Sequence, residues 1–289
     1  MGSFKLYHDS ETAIGVFRIE TWEQRYPALS AGFTTRHGGV SGGAYATLNC
    51  ALHIPDDPAC VEENRRRLAR TLNVPFESWT CGEQVHGNRV AVVTSRDKGR
   101  GRLAHEDAIS GADALITNEE GIWLTSFYAD CVPVYLFDPE TPAVGLAHAG
   151  WKGTVAFIVR EAVEAMKQAY GSRPERILAA IGPSIGACCY EVGHPVIDRV
   201  RDCMDELGIG RAERERVLRP AQSPDKNLLD LQELNRQIMI KAGILPVHIE
   251  ICGMCTSCRT DLFFSHRKEN GSTGRMVSWI GLNLQESGA

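Results

Sequence analysis

The sequence predicts an α+β fold in which mixed β-sheets are covered on the outside by helices. Short apolar or β-branched runs typical of strands fill the middle of the 289-residue chain, with amphipathic segments interspersed. Strands and helices do not alternate strictly, as they would in a parallel βαβ fold. Hydrophobic residues make up 43% of the chain, enough for a sizeable core, and no composition break divides it, so we expect one domain over residues 1–289.

The predicted helices carry start and end signals. Asp57 can cap the first helix and Pro58 suits its first position, while Gly171 ends the second. The helices are predicted over residues 56–74, 154–171, 195–208 and 228–243. Strands are predicted over residues 89–94, 114–117, 123–127, 132–137, 143–149, 177–182, 247–252 and 275–282.

Charge and targeting signals exclude several classes of protein. Lys and Arg number 31 against 36 Asp and Glu, so no broad positive field favours nucleic acid or an acidic membrane surface. No window approaches the roughly 20 apolar residues of a membrane span, and the N-terminal residues lack the features of a signal peptide. We therefore expect a cytoplasmic protein, with a monomer favoured. Neither a Rossmann fingerprint, a P-loop nor a nucleophile-elbow motif is present.

Two histidines and a cysteine form the most informative group of candidate ligands. His86, Cys131 and His148 lie in three separate Gly-rich or strand-like neighbourhoods. Two imidazoles and a thiolate suit Zn²⁺, and three ligands from distant loops leave one coordination position open, as in catalytic zinc sites. The pattern therefore predicts a metal centre that performs chemistry.

The segments around these ligands resemble the YfiH/YlmD family, once called laccase-domain or multicopper polyphenol oxidases and now regarded as purine nucleoside enzymes. The resemblance is carried, in order, by residues 33–49, 61–68, 83–87, 111–117, 129–134, 145–154, 181–193 and 261–275. It implies a single-domain α/β/β/α sandwich of mixed sheets, similar to the fold of a bacterial toxin deamidase. It also implies zinc ligands at His86, Cys131 and His148.

Three residues are candidates for a catalytic role. Asp130 precedes Cys131 and could orient water, bind a ribose hydroxyl or support a ligand from outside the coordination shell. Gln84 lies two residues before His86 and could offer an amide to substrate. Arg36, in a glycine-flanked loop, is the strongest candidate for a charge-assisted contact to phosphate.

Further residues are predicted to bind substrate or phosphate. Lys152 lies at the start of a predicted helix, where free N–H groups also favour an anion. Arg267 and Arg275 form a second basic group near the C-terminus. The full set predicted to contact substrate or phosphate is Arg36, His37, Asn49, Lys152, Ser265, Arg267 and Arg275.

The resemblance implies phosphorolysis of adenosine, inosine, guanosine and methylthioadenosine to the base and a (methylthio)ribose 1-phosphate, together with adenosine deamination. Purine nucleosides and phosphate are then the small-molecule partners. Water activated by the metal can attack C6 of adenine, and a cation can hold phosphate for attack at C1′. Which of these is the direct role of the metal stays open.

Three alternatives remain. A copper polyphenol oxidase is disfavoured because laccase chemistry needs many histidines in H-x-H pairs, and none of the nine histidines forms such a pair. Cys131 and His148 could instead be the nucleophile and base of a cysteine hydrolase or deamidase, which leaves His86 without a role. The third alternative is a zinc-dependent purine-binding module without turnover.

A second group of cysteines is a weaker candidate for metal binding. Cys252, Cys255 and Cys258 are spaced like half of a zinc ribbon, but no second C-x-x-C motif supplies a fourth ligand. We therefore leave open whether they bind a second metal. The adjacent Cys188 and Cys189 are expected to fill the core as small apolar side chains.

Overall fold

The computed structural model describes residues 3–284. The strands are β1 (Phe4–His8), β2 (Gly15–Ile19), β3 (Leu29–Thr34), β4 (Trp79–Cys81), β5 (Val90–Val92), β6 (Ala114–Thr117), β7 (Trp123–Tyr128), β8 (Val132–Asp138), β9 (Ala143–Ala149), β10 (Leu178–Ile181), β11 (Glu191–Gly193), β12 (Leu218–Pro220), β13 (Lys226–Leu229), β14 (Ile249–Ile251) and β15 (Met276–Leu282). The helices are α1 (Glu20–Arg25), α2 (Pro58–Thr71), α3 (Trp151–Val155), α4 (Ile158–Tyr170), α5 (His194–Glu206), α6 (Arg211–Val217) and α7 (Leu231–Lys241).

Two mixed sheets of six strands form the centre of the molecule. The first has the order β1-β2-β3-β15-β7-β4 and the second β14-β10-β8-β9-β6-β5. Neighbouring strands are antiparallel except at the edges, where β4 pairs parallel with β7, β14 with β10, and β5 with β6. A small antiparallel sheet, β11-β13-β12, lies apart from these two.

The buried side chains form three layers. One layer lies between the two sheets and contains Phe33 and Tyr128 from the first sheet and Phe137 and Leu146 from the second. The outer face of the second sheet packs against α4, α5 and α7. The outer face of the first sheet, rich in tryptophan, packs against α2. This order of layers is an α/β/β/α sandwich of mixed sheets, as predicted.

The order of the strands brings the predicted ligand segments together. The loop from β4 to β5 leads from the first sheet to the second, and so does the short link from β7 to β8. His86 lies in the former and Cys131 in the latter, while His148 lies near the end of β9, the neighbour of β8. The ligands are therefore collected where the chain crosses between the sheets.

Every strand predicted from the sequence is present, but two helix predictions were wrong in detail. The segment 154–171 is broken: α3 ends at Val155, Phe157 takes a left-handed φ of 63°, and α4 begins at Ile158. Asn88 Nδ2 donates to the carbonyl of Ala156 (2.9 Å), so this carbonyl is held by a distant residue.

The second error concerns the start of the last predicted helix. Residues 228–229 belong to β13, and α7 begins only at Leu231, after Asp230 accepts a capping hydrogen bond from Glu233 N (2.9 Å). The strands β1 to β3 and the helix α1 were not predicted. Within residues 3–284, no helix is both long and apolar enough to cross a membrane.

Candidate metal centre

The three predicted ligands converge. One nitrogen from each histidine and the sulfur of Cys131 lie within 4.8 Å of one another. His86 Nε2 is 3.9 Å from Cys131 Sγ, and the two imidazole rings meet edge to face with centroids 4.9 Å apart. His148 is buried and Cys131 is half-buried, whereas His86 is exposed, so the group opens to solvent on one side. These three residues, here called the triad, can hold one metal ion and leave room for another ligand.

Asp113, which the sequence analysis missed, organises the triad. Its carboxylate accepts hydrogen bonds from the backbone N–H groups of Val85 (3.1 Å), His86 (2.9 Å) and Gly87 (2.7 Å). Oδ1 also lies 2.9 Å from His148 Nδ1. If Nδ1 carries the proton shared with Asp113, Nε2 of His148 is the nitrogen free for a metal. One buried carboxylate thus fixes a ligand ring and the loop that carries another ligand.

The backbone around the triad adopts unfavourable conformations. Gln84, His86 and Asp130 have φ values of 61°, 62° and 88°. Such conformations cost non-glycine residues about 1–3 kcal/mol each and persist only where surrounding contacts impose them. Gly150 adds a steric requirement, because a Cβ built there would lie 3.0 Å from both Cys131 Sγ and His86 Cδ2. This close approach favours glycine at position 150.

The electrostatics of the triad favour a thiolate. Burial alone would raise the pKa of Cys131, but His148 and His86 outweigh it and lower the pKa to about 6. Burial alone would lower the pKa of His148, whereas Cys131 and Asp113 raise it to about 9. The thiolate is the form of cysteine that binds metal ions, so the surroundings of Cys131 suit a metal ligand.

The Asp130 carboxylate is occupied by hydrogen bonds from the protein. Oδ1 accepts from Thr256 Oγ1 (2.6 Å), while Oδ2 accepts from Ser265 Oγ (3.1 Å) and from the backbone N–H of Arg267 (2.7 Å). Asp130 is 8% exposed and Ser265 is fully buried. Asp130 therefore connects the link that carries Cys131 to the C-terminal loop that carries Ser265 and Arg267.

Gln84 and Asn49 are also bonded within the protein. Gln84 donates through Nε2 to the Phe127 carbonyl (2.9 Å) and accepts the Phe127 N–H through Oε1 (2.8 Å), which holds its loop against β7. Asn49 is fully buried, and its Oδ1 accepts from the backbone N–H of Arg275 (3.0 Å). Both side chains thus support residues beside the triad.

Arg36 is placed mainly for interactions within the protein. Nη1 pairs with Glu269 Oε1 (2.9 Å) and donates to the Thr260 carbonyl (3.1 Å), and Nε donates to the Ala46 carbonyl (3.2 Å). The guanidinium also lies 4.4 Å from the ring centroid of Phe264. These contacts occupy the guanidinium on several sides, and a contact from Arg36 to phosphate stays a prediction. His37 is exposed, with Nε2 2.5 Å from the Asp261 carbonyl oxygen.

Arg275 lies near the link that carries Cys131, because the pairing of Met276 with Tyr128 in β15 and β7 brings the residue before β15 close to the residues that follow β7. Burial lowers the pKa of the Arg275 guanidinium, and the charges of Cys131 and Asp130 oppose this shift. Arg267 lies over the ring of Tyr190 at 5.1 Å. Lys152 is exposed at the start of the five-residue helix α3.

Tyr190 is a second residue that the sequence analysis missed. Burial raises the pKa of its hydroxyl to about 12, with a contribution from the nearby charges of Cys131 and Asp130 that Arg267 opposes. An aromatic side chain that packs against Arg267 offers a surface on which a planar ligand can stack. Its signal in the sequence was its place in the block at residues 181–193.

A cavity of about 400 Å³ lies elsewhere, against residues such as Arg18, Leu72 and Trp123. Its lining contains none of the predicted site residues. Volume alone does not assign a function, whereas the triad combines converging donors, backbone strain and a supporting carboxylate. We therefore place the candidate site at the triad.

The comparisons with known proteins agree on one family. Residues 30–283 match the family described as multi-copper polyphenol oxidoreductase laccase. The chain is 41% identical over 280 residues to the purine nucleoside phosphorylase YlmD of Bacillus subtilis (strain 168), covering 96% of this chain and 98% of that protein. It is 35% identical over 250 residues to the adenosine deaminase RL5 of an unknown prokaryotic organism, covering 86% and 92% of the two chains.

A solved structure shows the same fold. The crystal structure of YlmD from Geobacillus stearothermophilus superposes with a TM-score of 0.89 at 40% identity, covering 98% of this chain and 100% of that one. The sequence match spans most of the chain, and the likeness extends to the whole sandwich. The chain therefore belongs to the YfiH/YlmD family.

Proposed function

We propose that this chain is a zinc-dependent purine nucleoside enzyme. It cleaves adenosine, inosine, guanosine and methylthioadenosine with phosphate, releasing the base and a (methylthio)ribose 1-phosphate, and it also deaminates adenosine. Two of its relatives are named purine nucleoside phosphorylase and adenosine deaminase, which supports this class of substrate. The observation that carries the proposal is the convergence of His86, Cys131 and His148 around one point, open on one side.

Zinc is the metal that this donor set suits. Two neutral imidazoles and a thiolate match catalytic zinc sites in number and kind, and Asp113 supplies the carboxylate partner that a zinc-binding histidine usually has. When bound, zinc would supply a Lewis acid that polarises oxygen and makes water more acidic. The other requirements of catalysis fall to side chains around the triad.

Arg275 is our leading candidate for binding phosphate. The register of β15 against β7 brings it near the link that carries Asp130 and Cys131. Its Nη1 donates to the carbonyls of Thr273 (2.6 Å) and Gly274 (3.0 Å), which fixes the guanidinium in place. A fixed, partly buried guanidinium is a strong donor to phosphate oxygens. Arg267 packs over the ring of Tyr190, and we assign contacts with the base or the sugar to these two side chains.

Asp130 is, in this proposal, a positioning residue. Its carboxylate holds the backbone of Arg267 and the hydroxyls of Thr256 and Ser265, and so fixes the C-terminal loop relative to Cys131. Gln84 does the same for the loop of His86. The pocket would therefore be built from loops held rigidly against the two sheets, as accurate positioning of substrate requires.

The test is a product analysis with the purified full chain. Adenosine, inosine and methylthioadenosine are each incubated with the zinc-loaded protein, with and without phosphate, and the products are separated by chromatography. We expect base and sugar phosphate only when phosphate is present, and inosine from adenosine in either case. Nucleoside binding without any product would overturn the proposal in favour of a purine-binding module.

The triad also contains a second possible chemistry. Cys131, His148 and Asp113 are arranged in space like the nucleophile, the base and the orienting carboxylate of a cysteine hydrolase. This alternative gives His86 no function, although its imidazole faces the same sulfur at 3.9 Å. Protection of Cys131 from alkylation by saturating Zn²⁺, with activity in the protected state, would exclude the hydrolase.

Copper is the metal suggested by the name of the matching family model. Two histidines and a cysteine can also bind copper, but laccase chemistry needs a further histidine-rich cluster. Within residues 3–284, the other group of potential metal ligands consists of cysteines alone. Assays after loading with zinc or with copper decide between the two metals: polyphenol oxidation by the copper-loaded protein would support the oxidase.

A further inference from the structure

Four cysteines from two loops meet on the side of the second sheet where β10 and β14 end. These strands are parallel neighbours, with Ile181 opposite Ile251, so the loops that follow them leave the sheet at the same edge. The loop after β10 carries Cys188 and Cys189, and the loop after β14 carries Cys255 and Cys258. A bridge between Ser184 and Cys255 continues the pairing beyond the strands. We call these four residues the cysteine cluster.

One expectation about these cysteines was wrong, and one open question is narrowed. Cys188 is exposed and Cys189 is half-buried, so this pair does not fill the core. Cys252 does not join Cys255 and Cys258, because it packs against the layer between the two sheets and its N–H bonds to the Ile181 carbonyl (2.9 Å). The two cysteines that complete a group of four with Cys255 and Cys258 lie in a turn roughly 70 residues earlier in the chain.

The sulfur atoms are close enough for one metal ion. Cys258 Sγ lies 3.5 Å from Cys188 Sγ and 3.4 Å from Cys189 Sγ, and all four sulfurs lie within 4.8 Å of one another. Tetrahedral zinc binds thiolates at about 2.3 Å, which separates the sulfurs by about 3.8 Å. The cluster therefore needs only small side-chain adjustments to reach the geometry of a closed four-thiolate site.

Backbone N–H groups point at the cluster. The amide of Gly186 donates to Cys255 Sγ (3.2 Å), and the amide of Cys258 donates to the same sulfur. Such N–H groups stabilise the negative charge of a metal-bound thiolate. A side chain at Gly186 would be crowded, since its Cβ would lie 3.3 Å from Cys255 Cβ and 3.4 Å from Cys188 Sγ. The surrounding turn therefore fits closely around the four sulfurs.

We propose that Cys188, Cys189, Cys255 and Cys258 bind a second Zn²⁺ ion, which is structural and distinct from the metal of the triad. A site closed by four thiolates leaves no position for substrate, so its role is to fasten the two loops together. Tyr190 follows Cys189 directly, and Thr256, which donates to Asp130 (2.6 Å), lies between Cys255 and Cys258. The second metal would thus hold both loops beside the triad without touching the reaction.

The first experiment counts zinc in the purified full chain, isolated under reducing conditions in the presence of Zn²⁺. We expect two equivalents in the wild-type protein and one in each of His86→Ala and the double variant Cys188→Ser/Cys258→Ser. The three substitutions combined should leave none. Cys252→Ser is the matched control, because it removes a thiol from the same segment but outside the cluster, and it should keep two equivalents.

The second experiment needs no substitution in the cluster. In His86→Ala protein loaded with Co²⁺, the cluster alone should give an intense thiolate-to-cobalt charge-transfer absorption. Zn²⁺ should protect Cys188 and Cys258 of the same protein from alkylation, as mapped by peptide mass spectrometry, and a chelator should expose them. The proposal is overturned if these thiols react equally with and without Zn²⁺, if they form disulfides under reducing conditions, or if His86→Ala removes all zinc.

Discussion

Asp113 Oδ1 lies 2.9 Å from His148 Nδ1, because Asp113 immediately precedes β6 and lies opposite His148 near the end of the neighbouring strand β9. A backbone hydrogen bond joins the same two residues, since the N–H of His148 donates to the Asp113 carbonyl (2.8 Å). The same carboxylate receives the N–H groups of the loop that carries His86. The position of the triad is therefore set by the pairing of two strands.

Asp113→Asn should weaken zinc binding at the triad by roughly 10- to 100-fold, the usual effect of removing a carboxylate that orients a ligating histidine. Asparagine keeps the size of the side chain, but only its carbonyl oxygen accepts hydrogen bonds. It therefore cannot accept from three backbone N–H groups and from His148, as the two carboxylate oxygens do. The measurement is competitive zinc titration with a chromogenic chelator, in the Cys188→Ser/Cys258→Ser background.

Asp138→Asn is the matched control for Asp113→Asn. Asp138 is equally buried but caps the turn after β8 through Thr141 and Glu140, away from the triad. It should lower stability while leaving zinc affinity unchanged. Equal zinc affinity in both variants would mean that Asp113 supports the fold only.

Removal of any one ligand of the triad should release that metal and leave the fold intact. Cys131→Ala, His86→Ala and His148→Ala each take away one of three donors, and a site with an open position contributes little to the stability of a core this large. The zinc content should drop by one equivalent, with unchanged far-UV circular dichroism. His194→Ala, at an exposed histidine on α5, is the control, and full occupancy in Cys131→Ala would exclude this ligand assignment.

The triad could be predicted from the sequence, but its support could not. Each ligand lies in a short, recognisable segment, and the resemblance of those segments to one family brought them together. Asp113 precedes a strand in an apolar block, and only the register between β6 and β9, which pairs Ala114 with Ala147, places it opposite His148. That register depends on contacts more than 30 residues apart, which local patterns do not encode.

The cysteine cluster and Arg36 show the same limit. Cys188 and Cys189 do not form a C-x-x-C motif, so the sequence gives no sign that they complete a metal site. The parallel pairing of β10 with β14 places their loop next to the loop of Cys255 and Cys258. The sequence around Arg36 shows a cation in a glycine-rich loop, but it does not show that the fold places Glu269 and three carbonyl oxygens around the guanidinium. The residue types indicate which side chains are charged or can bind a metal. Contacts between distant parts of the chain determine which groups surround those side chains.

Arg275→Lys should raise the phosphate KM of phosphorolysis by roughly 10- to 100-fold, the range expected for losing about 1.5–3 kcal/mol of a charge-assisted contact. Lysine keeps the charge but cannot reproduce the planar fork of a guanidinium. Steady-state kinetics with varied phosphate at saturating inosine measure this effect.

Arg36→Ala is the comparison that decides between the two arginines. It should lower the free energy of unfolding by about 1–3 kcal/mol, because it leaves Glu269 and several carbonyl groups without their donor. Its phosphate KM should stay close to that of the wild-type protein. The opposite pattern, with a raised phosphate KM in Arg36→Ala and a normal one in Arg275→Lys, would place phosphate at Arg36.

Asp130→Asn should retain zinc and reduce kcat by roughly 100-fold or more, as expected when the groups around a reacting centre lose their positions. The amide would place a donor where Asp130 now accepts from Thr256, Ser265 and the Arg267 N–H. Ser265→Ala, which removes one of these donors, should shift kcat in the same direction by a smaller factor. Loss of zinc from Asp130→Asn would instead make Asp130 essential to the metal centre.

Gly150→Ala tests how tightly the backbone encloses the triad. The added methyl would lie 3.0 Å from Cys131 Sγ and from His86 Cδ2, so at least one ligand must move, at a typical overpacking cost of about 1–3 kcal/mol. Because the displaced atoms belong to ligands, we expect zinc affinity to fall by roughly tenfold or more, which corresponds to about 1.4 kcal/mol.

The matched control for Gly150→Ala is Gly42→Ala, since a Cβ at Gly42 meets nothing within 4 Å and its φ of −111° suits any residue. Chelator competition should give wild-type zinc affinity for Gly42→Ala and a weakened value for Gly150→Ala. If the zinc-free Gly150→Ala protein is strongly destabilised while its zinc affinity is unchanged, the glycine serves packing, and the ligands can move without loss of the metal.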